Sequence, residues 1–367
     1  MGQNDQIYSE DSEDCEKLGK EAMTPKERLL AVLNGQKVDR VPVAQPLQTG
    51  TVEFMESSGA FWPEAHSNPE LMARLSFEAH KVAGFESVRV PFDVNVESEA
   101  LGCVLDYDKG ANGIDIQPSV RTASVDQKED LAKLQIPDPQ KDGRMPVVIE
   151  AVKLLKKLIE EEGSNIPIFA AVVAPFMVAG QIRGVDKLMR DLIKDPAFSH
   201  ALLEKSYQTS LAYGQALVEA GADVIVMIDA SASPDLISAK YFAEYAKPYS
   251  KRLAENLGVP TILHICGNTH VILDQMGEIA NGVSIDSLVK MKLLKEVLGN
   301  TAAAVGNIDV NGTLLFGSAE EIAQSVRERI DAGVDILTTA CGIGPRTPSQ
   351  NLITMVQTAK EYGRQKK

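Results

Sequence analysis

Short apolar runs alternate along the chain with longer stretches whose apolar positions recur with helical spacing. The β-rich runs predicted by this pattern are Val41–Ala44, Ser87–Pro91, Ile166–Val173, Asp223–Asp229, Thr261–Cys266, Gly282–Asp286, Ala303–Asp309 and Asp335–Cys341. Several are continuously apolar, as strands covered on both faces by helices must be. The stretches between them include amphipathic helices predicted at Val147–Glu161, Ala201–Ala220 and Ala319–Ala332. Ahead of the first run, Thr24-Pro25-Lys26-Glu27 offers an N-cap hydroxyl, a proline at the first helical position and a capping-box glutamate, and Asn34-Gly35 offers a stop. Eight β-then-α units predict an α/β fold, a single (β/α)8 TIM barrel. An open doubly wound sheet is the rival, but no G-x-G-x-x-G follows the first strand, and Gly342-Ile343-Gly344 lacks the third glycine. The segments Thr51–Glu86 and Asn95–Leu134 exceed simple connections and are expected as insertions over the C-terminal mouth, where barrel active sites are built.

Composition narrows the function classes. The 367 residues are 44% hydrophobic and 24% charged, enough for a large core, and the formal charge is −14 at pH 7. Such a field repels nucleic acid. The longest apolar stretch, from Ile166 to Gly180, is broken by Pro167 and Pro175 and falls short of the ~20 residues a membrane helix needs. The N-terminus lacks the basic and apolar regions of a secretory signal, which predicts a cytoplasmic protein. Residues 1–22 carry seven acids against Lys17 and Lys20 and read as a disordered tail, leaving 23–367 as the barrel domain.

The predicted fifth strand ends in Leu263-His264-Ile265-Cys266-Gly267, and the eighth in Thr338-Thr339-Ala340-Cys341-Gly342. Residues i and i+2 of a strand face the same side, so His264 and Cys266 aim into one space that Cys341 reaches from across the mouth. A His/Cys/Cys set suits tetrahedral zinc with a fourth position open, and a third ligand 75 residues after the second suits a catalytic site more than a local structural knuckle. The same residue types also serve as small buried hydrophobes and as a hydrogen-bonded core histidine. Cys15 and Cys103 have no such neighbours and read as incidental or structural.

Several long segments resemble the uroporphyrinogen decarboxylase superfamily and, within it, the methylcobamide:coenzyme M methyltransferases of methanogens. They are TPKERLLAVLNGQKVDRVPV, QTGTVEFMESSGAFWPEAHSNPE, GFESVRVPFDV, LHICGNT, GNIDVNGTLLFGS and CGIGPRTPSQNL. The resemblance implies a (β/α)8 barrel, zinc held by His264, Cys266 and Cys341, and methyl transfer from a methylated corrinoid protein to coenzyme M. Decarboxylases of the superfamily carry an arginine-rich segment near the N-terminus for substrate carboxylates. Here that place reads Ala44-Gln45-Pro46-Leu47-Gln48-Thr49, without arginine.

Further candidates surround this set. Asp229, Glu97, Glu99 and Asp286 end or follow strands and could orient His264 or take up a thiol proton; Asp229 and Glu97 are the catalytic candidates. Arg89, Arg183 and Arg346 are candidates for the acceptor's sulfonate, Arg346 foremost. Gln48 and Thr49 head a substrate-binding stretch to Trp62 whose three aromatics suit a flat macrocycle or a docked corrinoid protein, and equally a core. A different acceptor such as tetrahydrofolate, a porphyrinogen lyase and a non-catalytic barrel that binds the corrinoid protein remain as other readings.

Overall fold

Seven of the eight predicted runs become parallel strands and the first a single parallel bridge, with inner faces on the barrel interior and outer faces under helices. The structure is a computed structural model that describes residues 21–107 and 117–365. In chain order the barrel strands are β1, represented by the single bridge residue Val43, then β2 (Val88–Val90), β3 (Ile168–Val173), β4 (Val224–Ile228), β5 (Thr261–Ile265), β6 (Gly282–Ile285), β7 (Ala303–Ile308) and β8 (Ile336–Thr339). Strands β2 to β8 pair in sequence order, all parallel. Residues around Val43 close the ring: Ala44 donates to the Leu337 carbonyl at 3.1 Å, Leu337 to that of Pro42 at 3.0 Å, and Glu86 to that of Val43 at 2.9 Å. Pro42 and Pro46, which lack an N–H, keep this strand to one bridge. The outer helices are α1 (Pro69–Ala83), α2 (Met145–Glu162), α3 (Pro196–Ala220), α4 (Lys247–Asn256), α5 (Leu273–Gly277), α6 (Met291–Leu298), α7 (Ala319–Asp331) and α8 (Ser349–Gln365).

The helix Pro25–Leu33 forms with the predicted capping box and plugs the barrel bottom. Its Leu29, Val32 and Leu33 join Phe169, Val224, Ile262, Ala303 and Ile336 in an apolar interior cluster. Nearer the mouth the interior turns polar: His264 stands in register with Ser284, and Asn307 with Thr338, all buried. Apolar layers below and polar groups above aim the chemistry at the strands' C-terminal ends.

The first predicted insertion is shorter than expected, because α1 occupies most of its second half and leaves Val52–Ser58 and the turn Glu64–His66 over the mouth. The second contains Val96–Ala100, an antiparallel hairpin of Val104–Asp106 with Ser119–Thr122, and the turn Lys128–Lys133. Up to residue 20, the predicted acidic tail lies outside the described residues. Glu21 is docked: it accepts from Arg28, Arg40 and Arg364 beneath the barrel, and despite partial burial the hydrogen bonds from Arg364 and Arg40 hold its carboxyl at about 2. Among the described residues no helix is long and apolar enough to cross a membrane.

Candidate metal centre

The inward face of β5 runs Ile262, then His264, and the next inward position is Cys266 just beyond the strand end. Gly267 follows with φ +81°, a left-handed conformation that favours glycine, and a Cβ there would fall 2.1 Å from Asp235 Oδ2, so glycine suits the turn that leaves Cys266 at the mouth. Asp286, which ends β6, accepts from the Gly267 N–H at 3.1 Å and fixes that turn from the next strand. Cys341 comes from the end of β8, whose Gly342 lies against Gln48; a Cβ on Gly342 would meet the Gln48 Cβ at 2.9 Å.

These placements bring three soft ligands together. His264 Nε2 is 3.2 Å from Cys266 Sγ, Cys266 Sγ is 3.8 Å from Cys341 Sγ, and all three ligand atoms lie within 4.8 Å of one another. Tetrahedral zinc with ordinary bond lengths separates two sulfurs by about 3.8 Å and a sulfur from a nitrogen by about 3.6 Å, so the donor set fits such an ion. The other ring nitrogen, His264 Nδ1, is 3.0 Å from Ser284 Oγ. A ring that presents Nε2 to a metal carries its proton on Nδ1 and donates it to that hydroxyl. The hydrogen bond from Cys266 and contact with His264 push the Cys341 thiol down, while that thiolate neighbour and burial push Cys266 up.

None of the candidate carboxylates joins this triad among the described residues. Asp229 is buried at the end of β4, and its backbone N–H donates to the His264 carbonyl at 3.0 Å. Its Oδ1 is buried without a partner, and burial pushes the carboxyl up to about 8. Glu97 is also raised to about 8 by burial; it accepts from the Val173 N–H at 2.6 Å and so holds the end of β3. Glu99 pairs with Arg144 at 2.6 Å.

Gln48 and Thr49 lie beside the Cys341 loop. The Gln48 amide donates to the Ile343 carbonyl at 2.7 Å, and Gln48 Oε1 and Thr49 Oγ1 are buried without partners. Arg346 is exposed on the same loop. Arg183 is a structural residue, bound to Asp191 at 2.8 Å and to the Val125 and Asp126 carbonyls. Arg89 is buried in β2 and donates to the Pro91 carbonyl. The aromatics of the 48–62 stretch resolve toward packing: Phe54 and Trp62 are core residues, and only Phe61 reaches the surface. Cys103 is buried near Ser124, and Cys15 lies outside the described residues.

Two features were not visible in sequence. Ser284 is an ordinary serine in an apolar strand until its register with His264 is known. A buried network also joins His66 to Asp93 at 3.1 Å and Asp93 to Arg144 at 2.8 Å, with Trp62 stacked on His66 at 5.0 Å between ring centroids.

Comparison with known proteins bears on what such a centre serves. The uroporphyrinogen decarboxylase (URO-D) family model matches residues 24–362. A protein named methylcobamide:CoM methyltransferase MtbA from Methanosarcina mazei is 42% identical over 345 residues, 92% of this chain and 98% of its own. The methylcobamide:CoM methyltransferase MtaA of Methanosarcina barkeri is 36% identical over 341 residues, covering 92% of this chain and 98% of its own. A uroporphyrinogen decarboxylase of Anaeromyxobacter dehalogenans, by contrast, is 27% identical. A solved methyltransferase from Methanosarcina mazei superposes with a TM-score of 0.88 at 38% identity, covering 93% of this chain and 99% of that one. The chain belongs to the uroporphyrinogen decarboxylase family, in its methylcobamide:CoM methyltransferase branch.

Proposed function

We propose that the protein transfers a methyl group from a methylated corrinoid, carried by a corrinoid protein, to the thiol of coenzyme M, using zinc held by His264, Cys266 and Cys341. The observation that carries this reading is the N/S/S triad at tetrahedral spacing in the barrel mouth, in a chain 42% identical to a protein named for that reaction. Zinc bound there would hold the acceptor sulfur as a thiolate near neutral pH, where a free alkyl thiol is mostly protonated. Cys266 and Cys341 bring two negative charges and His264 none, so the chain's own ligands offset the ion's charge and favour an electron-rich sulfur. Three protein ligands leave one tetrahedral position for substrate. In the transfer the sulfur forms its bond to the methyl carbon, the Co–C electron pair stays on cobalt as Co(I), and the thiol proton leaves to solvent.

Asp229, neutral through most of the neutral range, hydrogen-bonds the bound acceptor through its unpartnered oxygen. Glu97 positions the end of β3. Gln48 and Thr49 line the acceptor pocket beside Cys341, and Arg346 supplies charge for the sulfonate. Catalysis resides in the barrel, so a chain starting at residue 21 keeps its zinc and its activity. Two metal-binding thiols require a reducing compartment, which accords with the cytoplasm. A porphyrinogen lyase is disfavoured because residues 41–73 contain no Lys or Arg to hold several carboxylates, only Glu53, Glu56, Glu64, Glu70 and His66 as ionisable groups.

Metal analysis together with spectral assay of methylcobalamin demethylation, with coenzyme M, homocysteine and tetrahydrofolate in parallel, tests the proposal. Zinc-dependent demethylation with coenzyme M is expected. Activity only with tetrahydrofolate would change the acceptor, and none with any acceptor would leave a binding barrel.

A further inference from the structure

Exposed large apolar side chains are unevenly distributed over this barrel. Among the described residues Phe316 is 81% exposed, Leu288 67%, Leu236 52% and Val271 46%. Each belongs to a different loop on the C-terminal side: Leu236 follows β4, Val271 follows β5, Leu288 follows β6 and Phe316 follows β7. Because these strands are successive neighbours in the sheet, the four loops form one continuous arc of the mouth rim, with His264 and Cys266 rising from β5 within it. The loops at the barrel bottom expose no large apolar side chain among the described residues; the other exposed ones lie on helices, on the 48–62 stretch or on the hairpin. Large apolar side chains left in water on neighbouring loops of one rim cost solubility and mark a contact surface.

Charge on the same loops is one-sided. Residues 229–238, 266–272, 286–290 and 309–318 contain Asp235, Asp286 and Asp309 beside the buried Asp229, against Lys290 alone. A surface that complements this arc is apolar at its centre and fringed with Lys or Arg. The site itself fixes what such a surface must carry: the thiols are recessed at the mouth, so a methyl donor too large to enter the barrel has to rest on the rim while its reactive carbon reaches inward.

We infer that the arc Leu236, Val271, Leu288 and Phe316 is the docking surface for the corrinoid protein, which seats an apolar, basic-fringed face there with its cobalt directed at Cys266. This rests on the methyl-transfer reading above. It moves docking away from the 48–62 stretch, whose Phe54 and Trp62 are spent on the core.

The test compares two methyl donors, free methylcobalamin and a corrinoid protein loaded with methylcobalamin that the unmodified enzyme demethylates saturably. The double variant Leu288→Asp/Phe316→Asp should raise KM for the loaded protein at least ten-fold while kcat, zinc content and the rate with free methylcobalamin stay within two-fold. Ile193→Asp, at a helix position as exposed as Leu288, should change neither. KM for the loaded protein unchanged in the double variant would overturn the assignment. So would sedimentation showing that the substitutions dissociate a dimer of this chain, which would make the arc a self-interface. Failure of the unmodified enzyme to demethylate free methylcobalamin would instead remove the underlying reading.

Discussion

The sulfur atoms of Cys266 and Cys341 stand 3.8 Å apart although 75 residues of chain separate them. Only closure of the barrel brings the ends of β5 and β8 to one mouth, so the metal centre is a property of the fold and not of a local motif. Cys341→Ala and Cys266→Ala should each lose most of the zinc, measured by elemental analysis after dialysis, with the far-ultraviolet circular dichroism of the folded barrel kept. Full zinc retention in either would contradict the ligand assignment.

Among the described residues Ser284 reaches the centre through His264. Ser284→Ala removes the partner of Nδ1 and should weaken zinc binding by about 10–100-fold in chelator competition, as loss of such outer partners does elsewhere. Because all three ligands remain, saturating zinc should restore full occupancy. An unchanged affinity would show that the 3.0 Å contact does not hold the ring.

Asp229 separates a hydrogen-bonding role from an ionic one. As a neutral acid it should be replaced well by Asn, so Asp229→Asn should keep kcat within a few-fold, whereas Asp229→Ala should lose about ten-fold, the worth of one hydrogen bond. Zinc content should be the same in both. If Asn proves as damaging as Ala, the carboxylate form is the working one.

The stability of the fold should also depend on pH through the buried acids. Glu97 ionises at about 8 in the folded protein against 4.5 ordinarily, so between those values the folded state holds a proton that the unfolded chain has released. Stability contributed at this position is therefore present below pH 4.5 and lost as pH rises to 8. Glu97→Gln keeps an acceptor for the Val173 N–H and should gain in urea midpoint relative to the unmodified protein from pH 5 to pH 8. Parallel curves would show that Glu97 is ionised throughout. Asp39 acts in the opposite sense: the hydrogen bond from Arg28 holds it at about 2, so its contribution disappears as pH falls from 3.8 toward 2.

Much of this was legible in the sequence. Eight β-rich runs marked eight strand positions, several of them continuously apolar because both faces are covered, and the shortest, around Val43, was shortened by its flanking prolines. His264, Cys266 and Cys341 could be read because period-two geometry and parallel closure place strand ends together. Ser284 and the His66–Asp93–Arg144 network could not, because their partners are set by register and by the packing of loops far apart in the chain. The aromatics at Phe54 and Trp62 were ambiguous for a related reason: composition tells that a side chain is apolar, and only the packed structure tells which face it buries. The exposed arc from Leu236 to Phe316 lay hidden in the same way.

The central claim concerns which reaction the mouth performs, and one measurement bears on it most directly. Zinc-loaded protein is given methylcobalamin with coenzyme M, and uroporphyrinogen in a separate vessel, with corrinoid demethylation followed spectrally and decarboxylation by product analysis. Thiol-dependent, chelator-sensitive demethylation with uroporphyrinogen left unchanged is the predicted result. Decarboxylation of uroporphyrinogen without thiol-dependent demethylation would contradict it and place the chain with the lyases of its family.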